Sequence, residues 1–169
     1  MPDWVAAHIY IGGEVKKSQL PGLLKAIRDE GCDFEWNGDT DTNFTKASDI
    51  LDNLDDQGHL HLGSGNAAEG MFETLEKFLR DNQIAYNRYG DGLSGSWDAV
   101  VNFYRKGYKE DIDLVVANNG DPVIAASVAI EAFNALKVGN VHAALEALAP
   151  YQNYVVPALP PFQLVDGVP

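Results

Sequence analysis

Along residues 58–92 the hydrophobic pattern changes period twice. His59-Leu60-His61-Leu62 alternates polar and apolar positions, the two-residue period of a half-buried strand. Gly63, Ser64, Gly65 and Asn66 follow, a composition that predicts a loop with unusual backbone angles. Phe72, Leu75, Phe78 and Leu79 then fall on one helical face, and residues 84–89 return to an extended pattern. The stretch predicts a strand, a glycine loop, a helix and a strand.

Upstream, residues 7–15 carry the β-branched and aromatic content of a strand, with Gly12 and Gly13 marking a bulge or an end. Ser18 can cap the next helix, Pro21 fits its first turn, Leu20, Leu23, Leu24 and Ile27 form its apolar stripe, and Gly31 stops it. Residues 32–36 alternate and predict a second strand, closed by the turn signal Asn37-Gly38-Asp39. Within 45–56, Ala47, Ile50, Leu51 and Leu54 share one helical face opposite Asp49, Asp52, Asp55 and Asp56; Thr45 or Ser48 can cap this helix and Gly58 can end it. The order of elements fits an α+β fold, a ferredoxin-like split βαβ antiparallel sheet with an extra acidic helix.

Downstream, residues 91–96 predict a flexible joint, and 97–104 favour a strand over a helix. Residues 114–117 and 122–125 flank an Asn-Gly turn and predict a β-hairpin. Ser127 can cap a helix running to Leu136, Gly139 stops it, Asn140 caps a second, alanine-rich helix, and Pro150 ends that one. The organisation expected is 1–92 as the ferredoxin-like part, 93–150 as hairpin plus two helices, and 151–169 as a Pro-rich extended tail. The tail's Val, Leu and Phe residues predict that it lies across the body rather than standing in water; without Lys or Arg it is a poor ligand for Pro-binding modules.

Charge narrows the function classes. The 169 residues hold 25 acidic and 12 basic side chains, a net charge of −13. Direct nucleic-acid binding needs a basic footprint and docking to an anionic membrane needs the same, so neither is expected. No apolar run approaches the ~20 residues of a membrane span, and no secretory leader is apparent. Cys32 is the only cysteine, so no internal disulfide forms, and a cytoplasmic location is expected.

The candidate chemistry is sparse. Gly63-Ser64-Gly65-Asn66-Ala67-Ala68 matches G-x-G-x-x-A in form, but Glu69 and Glu73 crowd the start of the following helix, where a phosphate would sit. Asp39-Thr40-Asp41-Thr42-Asn43 opens like a calcium loop and then places Phe44 where Gly is needed and Ile50 where Glu is needed. His59 and His61 share one side of a strand and can in principle ligate a metal, yet only the pair is visible, so no metal and no cofactor is expected. Acidic neighbours oppose a Cys32 thiolate, and no serine forms a nucleophile elbow.

What remains is a surface. Asp39, Asp41, Asp49, Asp52, Asp55 and Asp56 concentrate negative charge, and Tyr86, Tyr89, Trp97, Tyr104 and Tyr108 supply rings of the kind enriched at interfaces. The expected function is a non-enzymatic protein-interaction module with a basic protein as partner, in one version a DNA mimic, with homodimerisation through the C-terminal helices. The alternative is a small ligand-binding domain or enzyme using Gly63, Ser64, Gly65, Asn66, His59 and His61.

Overall fold

The computed structural model describes residues 4–34, 43–91, 98–117, 121–151 and 156–166. Residues 92–96 of the joint expected at 91–96, the turn at 118–120, and Asp39 and Asp41 lie outside them. Among the described residues the chain forms a mixed α+β fold with six strands and five α-helices.

The long first strand, β1 (Trp4–Lys16), organises the sheet. Its first half pairs antiparallel with β2 (Leu60–Ala68) on one side and β3 (Ala85–Gly90) on the other. β4 (Ala99–Tyr104) and β5 (Ile112–Val116) extend the sheet beyond β3, giving the order β2-β1-β3-β4-β5. The second half of β1 pairs in parallel with β6 (Phe162–Val165).

Two expected elements change. Of residues 32–36, the described part contributes one bridge: Asp33 N–H donates to Gly63 O at 3.1 Å and Gly63 N–H to Asp33 O at 2.7 Å, after which Phe34 bends away. The expected loop at Gly63, Ser64, Gly65 and Asn66 is strand instead. Gly63 and Ser64 pair with His8 and Ala7, and an irregularity between Val5 and Ala7 of β1 absorbs the mismatch. The chain turns only at Glu69 and Gly70, both at positive φ, and α3 (Glu73–Asp81) begins after them.

The alternation of β1 decides where the core lies. Ala7, Ile9 and Ile11 are fully buried with Leu60 and Leu62 of β2. α1 (Leu20–Glu30) and α3 cover this inner face with Leu23, Ile27, Leu75 and Leu79. α1 starts on Gln19 rather than Ser18; Pro21 sits in the first turn, and Gly31, at φ 71°, ends the helix. Gly22 allows the helices to approach, since a Cβ there would stand 2.6 Å from the Phe78 ring. Within this layer Glu76 meets Arg88 at 2.8 Å, while Arg88 also donates to Gly70 O at 2.8 Å. Burial pushes the Glu76 carboxyl up, and Arg88 works against that rise.

The short α2 (Ala47–Leu51) is capped by neither Thr45 nor Ser48. Asp49 reaches back and accepts from the Thr45 and Lys46 N–H groups at 2.8 and 3.0 Å. The hairpin after β5 is likewise shorter than expected: Val116 and Pro122 form a single bridge, and the proline has no N–H to extend the ladder. α4 (Ala126–Lys137) starts on Ala125 without the Ser127 cap. The Asn140 side chain caps α5 (Val141–Leu148), accepting from Ala143 N–H at 3.1 Å. No helix among the described residues is long and apolar enough to cross a membrane.

The tail crosses the body as its composition predicts. Gly13 N–H donates to Pro160 O and Pro161 O at 2.9 and 3.1 Å, and Phe162 N–H to Gly58 O at 2.8 Å. Gly12 makes this possible, because a Cβ there would meet Pro160 O at 2.0 Å.

Candidate functional site

The strands that carry the core on one face carry rings on the other. Register places Tyr10 between His61 and Asn87, and His8 between Gly63 and Tyr89. Tyr10 stacks on His61 with centroids 4.3 Å apart and planes 5° from parallel, and meets Tyr89 edge-on at 5.7 Å. His8 Nδ1 lies 3.0 Å from His61 Nε2. Gly63 leaves space for that ring, because a Cβ there would press within 3.3 Å of His8 Nδ1.

A hydrogen bond between two imidazoles needs one donor and one acceptor, so a neutral pair suits the contact. Burial lowers the pKa of both rings; for His61 the neighbouring His8 lowers it further, while Asp91 and Asp55 oppose the shift on His8 and His61 respectively. Tyr10 is held as the phenol, its pKa raised by burial, by Tyr89 and by Asp55.

The turn after α2 forms a wall beside this floor. Asp55 Oδ1 accepts from Gln57 N–H and His59 N–H at 2.9 and 2.8 Å, and Asp55 Oδ2 lies 3.5 Å from His59 Nδ1. On its other side His59 Nε2 is 3.0 Å from Leu159 O. A carbonyl only accepts, so this bond places the proton on Nε2 and ties the wall to the tail. Arg105 holds the tail from below, donating to Pro157 O as well as to Asn87 Oδ1 at 2.8 Å and Tyr86 O at 2.9 Å. Floor, wall and residues 156–159 enclose a cleft of about 720 Å³.

Of the acidic residues singled out in the sequence, Asp55 and Asp56 reach this cleft. Asp52 is exposed and Asp49 accepts from the Thr45 and Lys46 N–H groups, so the acidic face is divided. His59 lines the cleft and His61 stands behind Tyr10, each with its own partner rather than converging on one point. Gly63, Ser64, Gly65 and Asn66 belong to a strand and open no loop towards a helix. The first N–H groups of α3 are in use besides: Thr74 and Leu75 donate to Glu30 Oε2 at 2.8 and 3.1 Å. Cys32 is buried, and burial with Glu30, Glu76 and Asp33 drives its thiol pKa upward. Among the described residues no three His, Cys, Asp or Glu side chains gather as metal ligands.

His8, Tyr10, Asn87 and Tyr89 form the floor without having been singled out as a group. Their signal lies in the alternation of residues 7–11, where His8 and Tyr10 occupy the positions that Ala7, Ile9 and Ile11 leave for the opposite face. No protein-family model matches this chain, and no similar protein emerges among curated sequences or solved structures.

Proposed function

We propose that this chain is a non-enzymatic binding module that receives a basic segment of a protein partner in the outer-face cleft. The carrying observation is the lining: Asp55 and Asp56 stand beside the Tyr10 and Tyr89 rings, and no Lys or Arg is among the described residues that line it. Carboxylates and aromatic faces both attract ammonium and guanidinium groups. The net charge of −13 draws cations towards the surface. In the DNA-mimic version, the acidic row of α2 would have to act as a unit. That version has less support, because Asp49 and Asp55 are engaged by backbone N–H groups.

The test is fluorescence anisotropy with labelled peptides rich in Lys and Arg, beside acidic and neutral controls, at low and high salt. Binding of basic peptides alone, weakened by salt and reduced about tenfold or more by Tyr89→Ala with Asp56→Asn, is the expected result. Equal binding of all peptides, or none, overturns it. Binding only of small organic cations that displace no peptide would transfer the cleft to the ligand-binding reading.

A further inference from the structure

The apolar surface least accounted for lies on the α4–α5 hairpin. The two helices pack on each other through Ala132 and Ala144, the only residues of either that are fully buried. Their large apolar side chains point elsewhere: Ile130, Phe133 and Leu136 follow at three-residue spacing along α4, and Val141 and Leu145 at four-residue spacing along α5. With Val138 in the turn, these six are 53–80% exposed. Helices of 12 and 8 residues are too short to be stable by propensity alone and depend on a packed apolar face. Here most of that face stands in water.

We infer that this face is covered by the same hairpin of a second copy, forming a two-fold four-helix assembly. Two observations select this occupant. The first is area. Six side chains at roughly 100 Å² each amount to about 1,200 Å² over two facing copies, the lower bound of a stable interface. Summed, the six side chains reach about 600 Å², the upper end of the largest apolar patches of monomers, which are often functional. The second is charge. Over α4 and α5 the chain carries one lysine, Lys137, against two glutamates, Glu131 and Glu146, although the whole chain stands at −13. Two copies repel each other over most of their surface, and this is where they can touch with little repulsion. A two-fold contact is also the commonest way for a patch to satisfy itself. A lipid surface fits less well, because neither helix has the Lys- and Arg-rich face that interfacial helices use. The inference is independent of what the cleft binds.

The experiment is light scattering on the eluting chain over a wide concentration series at low and high salt, with Phe133→Ser/Leu145→Ser alongside. The mass expected is twice 18.4 kDa, favoured by salt because screening removes the repulsion between bodies. The double variant should run at the single-chain mass with its far-UV circular dichroism retained. Should the double variant lose that signal, the single change Ile130→Ser takes its place. A single-chain mass for the unmutated protein in every condition overturns the inference. So does a two-chain mass that survives the substitutions in a folded variant, or partition of the unmutated chain onto phosphatidylcholine vesicles in preference to self-association.

Discussion

The two faces of β1 differ in everything except their backbone. On the inner face Ala7, Ile9 and Ile11 are sealed under α1 and α3, and the Glu76–Arg88 pair there is itself buried. On the outer face His8 and Tyr10 are half-buried, both stacked with His61, Tyr10 meeting Tyr89 edge-on, and open to a cleft. Successive residues of one strand thus serve stability and recognition by turns. A rigid strand fixed from behind by close packing holds the rings in front of it in place, which is how a site can be accurate without being deeply buried.

That division can be tested by substitution on each face. Glu76→Ala removes the buried partner of Arg88 and leaves the guanidinium only the more distant Asp113 and the Gly70 carbonyl, so a loss of about 3 kcal/mol is expected in urea unfolding. Ile9→Ala empties space in the sealed layer and should cost about 2–5 kcal/mol by the same measurement. Gly12→Ala sets a methyl group against Pro160 O; a loss of about 1–3 kcal/mol is expected, with faster proteolysis of the tail. Tyr10→Ala, next along from Ile9, should lower stability by about 1 kcal/mol or less while weakening basic-peptide binding. If Tyr10→Ala unfolds the protein as readily as Ile9→Ala, the two faces do not divide the work.

The smallest effect expected is one of pH. His8 and His61 are both held below the 6.5 of a free imidazole. Just beneath 6.5 the unfolded chain binds protons that the folded chain refuses, so stability falls as pH drops through that window. Melting temperatures between neutral and mildly acidic pH should show this decline, and His61→Asn should flatten it. An unchanged slope in that variant would remove the histidine pair from the account.

Much of the local structure was legible because its causes are local. The stripe Leu23, Leu24 and Ile27 with Gly31 marks α1, the stripe of α3 is equally regular, and Asn140 caps α5 as its type and place imply. The strand at Ala99–Tyr104 and the tail across the body also follow from composition. The errors arose where distant pairing overrides local preference. Gly63 and Gly65 suit a loop in isolation, but β1 lies alongside and draws them into the sheet. His8 alone carries no message; its partner His61 is 53 residues away and only register brings them together. Asp49 and Asp55 were legible as charge but not as backbone caps, since that role depends on how the chain turns around them.

The parallel contact of β6 with β1 has a consequence for how the molecule is made. β1 precedes every other described element and β6 follows them all, so this pairing closes a loop that contains all the described elements between them. Such long-range contacts form late and slowly, because their ordering cost precedes their reward. During synthesis the sheet β1–β5 and most of the inner core can assemble while residues 156–165 are still unmade, with Phe162 joining that core afterwards. The cleft is then an open sheet face, and it gains its far side only when the tail arrives to bond with Gly13 and His59. The far wall of the cleft, on this view, is set in place after the sheet that carries its floor.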